Sequence, residues 1–151
     1  MRRSVSQRLL ILGGLANLGI ALFHLVIVII GAPGYRYFGV PKLAELQEQG
    51  SVVPAVLTLS LTILFALFAT YAFAGAGVLR RLPFLRTILV FISAIYVLRG
   101  LAVVRHIIFL AAGEPEYLMA VGFSGAALAI GIAYVAGTVP LFKKQVEKSE
   151  P

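Results

Sequence analysis

The stretch "LLILGGLANLGIALFHLVIVII", Leu9 to Ile30, decides the fold, because it holds twenty-two residues without a charged side chain. A helix rises about 1.5 Å per residue, so a run of this length crosses the roughly 30 Å hydrocarbon core of a bilayer. A single segment in lipid has to satisfy its own backbone polar groups, and therefore forms a helix. The stretch predicts a transmembrane helix.

Three more runs of this kind follow, and together they predict helices at about residues 9–30, 52–79, 87–110 and 117–138. The chain has 151 residues, 60% of them hydrophobic and only 13% charged, about half the charged fraction of a soluble domain. We therefore expect an all-α membrane protein, a bundle of four transmembrane helices in a single domain over residues 1–151. "PKLAELQEQ" predicts a short surface helix at about 41–49, and residues 139–151 are expected to form a cytoplasmic tail.

Charge orients the predicted helices. Basic residues gather at both termini and in the loop after the second helix: Arg2, Arg3, Arg8, Arg80, Arg81, Arg86, Lys143, Lys144 and Lys148. In the first outer loop Arg36 and Lys42 are balanced by Glu45 and Glu48. This asymmetry predicts that both termini are cytoplasmic. The net charge of +7 is thus explained by membrane orientation rather than by nucleic-acid binding.

The ends of the first and third helices share a motif. "HLVIVIIGAPGY" and "HIIFLAAGEPEY" align His24 with His106 and Tyr35 with Tyr117, each pair 82 positions apart. At the same offset Asn17 falls on Arg99, so each histidine follows a polar residue by seven positions, about two helical turns. Local helix-exit chemistry and a duplication of two helical hairpins both explain the match.

Arg99 is the most unusual residue of the third helix. It lies near mid-bilayer, where a charge is costly, and the four predicted helices contain no Asp or Glu. We expect it to face the bundle interior. Its partners are expected among helix carbonyls, trapped water and the side chains of Asn17, Ser60, Thr62, Tyr71 and Tyr96, or an external anion takes their place. Intramembrane charges are usually functional, but a purely structural role in holding helices together is the alternative.

The predicted ligand-binding set is Arg99, His24, His106, Asn17 and Tyr96. The two histidines could contact a ligand or quinone, ligate haem b axially, relay protons, or only pack between helices. Two histidines without thiolates or carboxylates make a poor zinc site. Because the chain has no cysteine, thiol redox chemistry is excluded. No cofactor is required by the sequence, and no catalytic constellation is visible.

The segments "FHLVIVIIGAPGYRYFG", "AGAGVLRRLPFLR" and "AIYVLRG" resemble small bacterial inner-membrane proteins of the DoxX-like type. The resemblance implies this topology and a bacterial inner membrane, and it transfers no site residue. Two functions fit best: a protein that binds a lipid, quinone or other amphiphile in its bundle, or an accessory subunit of a membrane complex. A haem protein using His24 and His106 is the alternative, a small transporter is less favoured, and self-association into a homo-oligomer is compatible with both.

Overall fold

Six helices make up the part of the chain that the structure describes. This computed structural model describes the backbone of residues 3–149 and the side chains of residues 3–142. The helices are α1 (Val5–Ile30), α2 (Ala32–Tyr37), α3 (Pro41–Glu48), α4 (Val53–Gly75), α5 (Leu85–Ala111) and α6 (Tyr117–Ser149). No strand occurs within the described backbone, which confirms the predicted all-α class.

Four of the helices are long and apolar enough to cross a membrane: Val5–Ile30, Val53–Gly75, Leu85–Ala111 and Tyr117–Phe142. Only 22–28% of the most apolar 18-residue window of each is buried. Large apolar side chains cover much of the remaining surface; Leu98, for example, is 71% exposed. Apolar surface of this extent needs lipid rather than water. The prediction of a multi-pass, four-helix membrane protein is confirmed, while the type of membrane and the orientation of the termini stay predictions.

The helix bounds differ from the predicted ones in places. α4 ends at Gly75, four residues before the expected end, because Gly77 takes a left-handed conformation (φ 72°) that terminates helices readily. α6 continues to Ser149 through Pro140, where a tail was expected from residue 139. Pro140 removes one backbone hydrogen bond, but good helix formers follow it in "KKQVEK". α2 was not predicted; it begins with Ala32 and Pro33 after the left-handed Gly31.

The chain divides into two compact units, and the first covers residues 15–69. Its small core is formed by Ile27, Tyr35 and Ala44. The buried Tyr35 hydroxyl lies 3.0 Å from the carbonyl oxygen of Pro54 and 2.9 Å from Oγ1 of Thr58. These bonds tie α2 to the first turns of α4.

The charges of the loop between α1 and α4 pair with one another. Arg36 Nη2 lies 2.6 Å from Glu48 Oε2, and Lys42 Nζ lies 3.4 Å from Glu45 Oε2. These are the residues that the sequence predicted to balance in charge. Both pairs are exposed, so they neutralise the loop more than they stabilise the fold.

The second unit comprises residues 1–14 and 70–151, and α5 and α6 pack closely within it. A Cβ atom added to Gly100 would lie 2.5 Å from the Cα of Leu128, and one added to Gly131 would lie 2.9 Å from the backbone nitrogen of Val97. Small residues allow such backbone approach in membrane helices. Gly122 and Gly125 of α6 have no such neighbour within 4 Å.

Candidate functional site

Arg99 lies in the middle of α5, the helix that runs from Leu85 to Ala111. The two helix ends are about 21 Å and 18 Å away along the axis. If α5 spans a membrane, Arg99 is therefore far from both aqueous surfaces. A guanidinium at such a depth requires hydrogen-bond acceptors or an anion.

The acceptor within the protein is Ser124 on α6. Arg99 Nη1 donates to Ser124 Oγ at 2.9 Å, and Ser124 is fully buried. Arg99 itself is an exposed residue, so one nitrogen reaches inward while much of the side chain remains accessible. Among the described residues neither ion pair involves Arg99. Most of its five N–H donors are therefore available to an acceptor from outside the chain.

His106 is the second partner of Ser124. Its Nδ1 lies 3.0 Å from Ser124 Oγ, the residue is buried, with 7% of its surface exposed, and its ring lies 5.8 Å from that of Tyr117. Arg99 and His106 are seven residues apart on one stripe of α5, as the sequence predicted. Ser124 joins both side chains into one hydrogen-bonded group.

The direction of the hydrogen bonds follows from their chemistry. A guanidinium can only donate, so Ser124 Oγ accepts from Arg99. Among the described residues the only other hydrogen-bond partner of that hydroxyl is His106 Nδ1. Donation of the Ser124 proton to Nδ1 therefore satisfies both groups. In a neutral His106 the ring hydrogen then sits on Nε2.

Close packing of α5 and α6 makes this geometry possible. Gly100 follows Arg99 directly and brings α5 against the backbone of Leu128. Leu128 lies four residues, about one turn, after Ser124. A larger side chain at position 100 would separate the two helices at the level where the serine has to meet its partners.

Tyr96 belongs to the packed core near this group. It is buried, and its ring stacks on that of Tyr134, with centroids 6.0 Å apart and planes at 19°. Tyr96 precedes Arg99 by three residues, so it fixes α5 against α6 one turn before the arginine.

The expected surroundings of Arg99 were partly wrong. We predicted an interior position, whereas the residue is exposed and only its Nη1 bond reaches the core. Ser60 and Thr62 instead donate to carbonyl oxygens four residues earlier in α4. The Tyr71 hydroxyl donates to the carbonyl oxygen of Pro83 at 3.4 Å. A serine or threonine hydroxyl that donates to a carbonyl of its own helix already has a hydrogen-bond partner. Ser60 and Thr62 therefore do not need Arg99 as a partner.

Ser124 is the site residue that the sequence did not identify. It stands in "GFSGAALAIG", a stretch of small residues that predicted helix packing in general. The signal that could have identified it is the rarity of hydroxyls in the predicted fourth helix, Tyr117 to Thr138. Apart from the tyrosines, only Ser124 and Thr138 carry one there. Its facing direction depends on how α6 is rotated against α5, which one sequence does not determine.

His24 and Asn17 lie in the unit of residues 15–69. His24 is partly buried, and its Nδ1 lies 2.7 Å from the carbonyl oxygen of Ile20 in its own helix. Its ring lies 5.1 Å from the ring of Phe65. Asn17 is fully buried.

The two histidines offer different nitrogens to a metal. The carbonyl oxygen of Ile20 can only accept, so His24 Nδ1 carries the hydrogen and Nε2 keeps a lone pair. The hydrogen-bond direction at Ser124 places the hydrogen of His106 on Nε2, and an iron ligand needs a nitrogen without one. In this hydrogen-bond arrangement Nε2 of His24 has a lone pair for an iron ion, whereas His106 gains one only when its ring hydrogen moves to Nδ1 and is donated to Ser124 Oγ. No group of three or more His, Cys, Asp or Glu residues that could hold a metal ion occurs in the described part of the chain.

Comparison with protein-family models, curated proteins and solved structures found no match to this chain.

Proposed function

We propose that this membrane protein binds an amphiphile whose polar head carries hydrogen-bond acceptors, and that Arg99 receives that head. The phosphate of a phospholipid and the carbonyl of a quinone are the two chemistries that fit. The observation that carries the proposal is the state of Arg99: a mid-helix cation held by one hydrogen bond, exposed, and without an acidic partner among the described residues.

The donors of this group favour an acceptor as ligand. Arg99 has only N–H donors, and the direction of the Ser124 bonds leaves His106 with an Nε2 hydrogen. A phosphate or a quinone oxygen supplies the acceptors that such a group lacks. A positively charged or donor-rich head would be repelled from it.

The exposure of Arg99 provides a route for the ligand. Large apolar residues on the same helix are also exposed, including Leu98 at 71% and Leu101 at 53%. In a membrane this face meets the acyl region, so an amphiphile can reach the guanidinium laterally and lay its apolar part on the helix. The anchor to buried Ser124 fixes one nitrogen, which reduces the side-chain entropy lost on binding.

The test compares Arg99→Gln with Arg105→Gln. Both remove one exposed arginine from α5, but Arg105 has no hydrogen bond or ion pair among the described residues. After purification in mild detergent, native mass spectrometry and quinone extraction report the bound amphiphile. Loss of charge-assisted hydrogen bonds, worth about 1.5–3 kcal/mol, should lower retention roughly tenfold or more in Arg99→Gln only.

Stability serves as the internal check on this result. Removing a poorly compensated charge from the membrane interior can leave a protein as stable or more stable, so Arg99→Gln should fold. If the folded variant keeps as much amphiphile as the Arg105→Gln control, the binding role is wrong and Arg99 is a structural link between α5 and α6.

A further inference from the structure

The unit of residues 1–14 and 70–151, which contains Arg99, has a second notable feature where α4 ends and α5 begins. A cavity of about 720 Å³ opens there, lined in part by Gly75 at the end of α4 and Leu85 at the start of α5. This volume lies in the range of about 300–1,000 Å³ that is usual for small-molecule sites. Because it sits at the ends of two candidate spans, the cavity is at the level where lipid head groups meet a membrane protein.

Two arginines give the cavity its charge. Arg81 and Arg86 both line it, and none of its described lining residues is acidic. Neither arginine takes part in the ion pairs of the described side chains. Arg86 lies over the ring of Phe142, with its Cζ 5.7 Å from the centroid. That contact holds the guanidinium in place without neutralising it.

The neutral groups of the cavity add further donors. Gln7 uses its Oε1 to accept from the backbone N–H of Ser4 at 3.0 Å, which leaves its amide hydrogens. Thr87, which carries a hydroxyl, also lines the cavity. Among the described residues no side chain caps the start of α5 after Phe84, and the first N–H groups of a helix have no partner within it. An anion with several acceptor oxygens complements this set.

Apolar residues complete the lining and extend its edge. Leu79, Leu82 and Leu141 line the cavity, and Phe84, also in the lining, is 79% exposed. A free anion cannot cover this apolar surface, whereas the acyl chains of a lipid can pack against it.

We propose that this cavity binds the phosphate of an anionic phospholipid head group through Arg81 and Arg86. The site is distinct from Arg99: Thr87 and Arg99 are twelve residues apart on α5, about 18 Å along the axis. The inference therefore does not depend on the function proposed for Arg99. It assigns to Arg81 in the loop and to Arg86 in the first turn of α5 a binding role in addition to their effect on orientation.

The test measures lipid retention by native mass spectrometry of the full chain in detergent. Phosphatidylglycerol, phosphatidylcholine and inorganic phosphate are added separately at equal concentrations. We expect preferential retention of phosphatidylglycerol, and a loss of about tenfold in Arg81→Gln, a change at an exposed residue that should not affect folding. The double variant Arg81→Gln with Arg86→Gln should lose more.

A matched double variant separates a site from general charge. Arg80→Gln with Arg105→Gln also removes two positive charges, but neither residue lines the cavity. It should retain phosphatidylglycerol as the unchanged protein does. Equal losses in the two double variants, or equal retention of phosphatidylglycerol and phosphatidylcholine, would overturn the proposal. Thermal stabilisation by inorganic phosphate that equals the effect of the lipid and disappears in Arg81→Gln would keep the phosphate site but identify free phosphate as the ligand.

Discussion

His24 and His106 occupy equivalent places in the sequence and different chemical surroundings in the structure. His24 is partly buried and bonds to a carbonyl of its own helix, beside the ring of Phe65. His106 is buried and bonds to a serine of another helix. Hydrogen-bond chemistry assigns the ring hydrogen to Nδ1 in the first and to Nε2 in the second.

The shared part of the motif is its backbone. Gly31 and Gly113 are both left-handed, with φ of 76° and 94°, and each follows the end of a long helix, with a proline two residues later. This conformation is easy for glycine and strained for other residues. The repeat thus encodes how the chain leaves a helix, and it does not encode what the histidine contacts.

The tyrosines diverge in the same way. The Tyr35 hydroxyl is buried against Pro54 and Thr58, whereas Tyr117 stacks its ring on Phe109 with centroids 4.8 Å apart. A repeated motif in one sequence therefore predicts local geometry well and side-chain partners poorly.

The largest effect is expected from a substitution that separates α5 from α6, because this removes the partner of His106 and leaves that of His24 in place. Gly100→Leu places a side chain where even a Cβ would lie 2.5 Å from Leu128 Cα. We expect destabilisation of at least about 1–3 kcal/mol and loss of the bonds to Ser124, with His24 unaffected. Thermal unfolding in detergent measures this. Gly122→Leu is the control, since nothing lies within 4 Å of a Cβ there, and similar stability of the two variants would contradict the close approach.

A smaller effect is expected from removing the hydroxyl alone. Ser124→Ala leaves His106 Nδ1 buried without its partner and frees Arg99 Nη1, which should cost about 1–3 kcal/mol. Ser93→Ala is the matched control: Ser93 is also buried, but donates only to Leu89 of its own helix at 2.7 Å. Its loss should be under about 1 kcal/mol. If Ser124→Ala and Ser93→Ala lower the unfolding temperature equally, Ser124 does not link Arg99 and His106.

The least perturbing measurement determines the two histidine tautomers in the unchanged protein and uses substitutions only to assign the signals. Long-range ¹H–¹⁵N correlation spectra of the two imidazoles, assigned by replacing each histidine in turn, report which nitrogen carries the hydrogen. We expect Nδ1 protonation for His24 and Nε2 protonation for neutral His106. Nδ1 protonation at both positions would show that His106 donates to Ser124 Oγ, which reverses the direction inferred for that bond.

The sequence predicted most of what depends on helix length and on neighbours along the chain. The four spans followed from apolar runs. Thr58, Ser60 and Thr62 bond back to carbonyl oxygens of α4, as hydroxyls inside helices generally do. The balance of Arg36 and Lys42 against Glu45 and Glu48 is realised as two ion pairs. These features need no knowledge of how helices rotate against one another.

The link through Ser124 and the cavity beside Arg81 and Arg86 could not be predicted in this way. The first depends on the close approach of α5 at Gly100, and the second on where a loop folds over the ends of two helices. Both are set by packing between segments that are distant in sequence. Hydrophobic periodicity indicates the type of each helix and not how two helices pack.

The hydrogen-bonded group of Arg99, Ser124 and His106 also decides how protons can move. Conduction along such a chain requires every member to accept one proton and release another. A guanidinium does not release its proton in proteins, so a proton that reached His106 and Ser124 would find no onward step through Arg99. A proton relay through these three side chains would therefore end at Ser124.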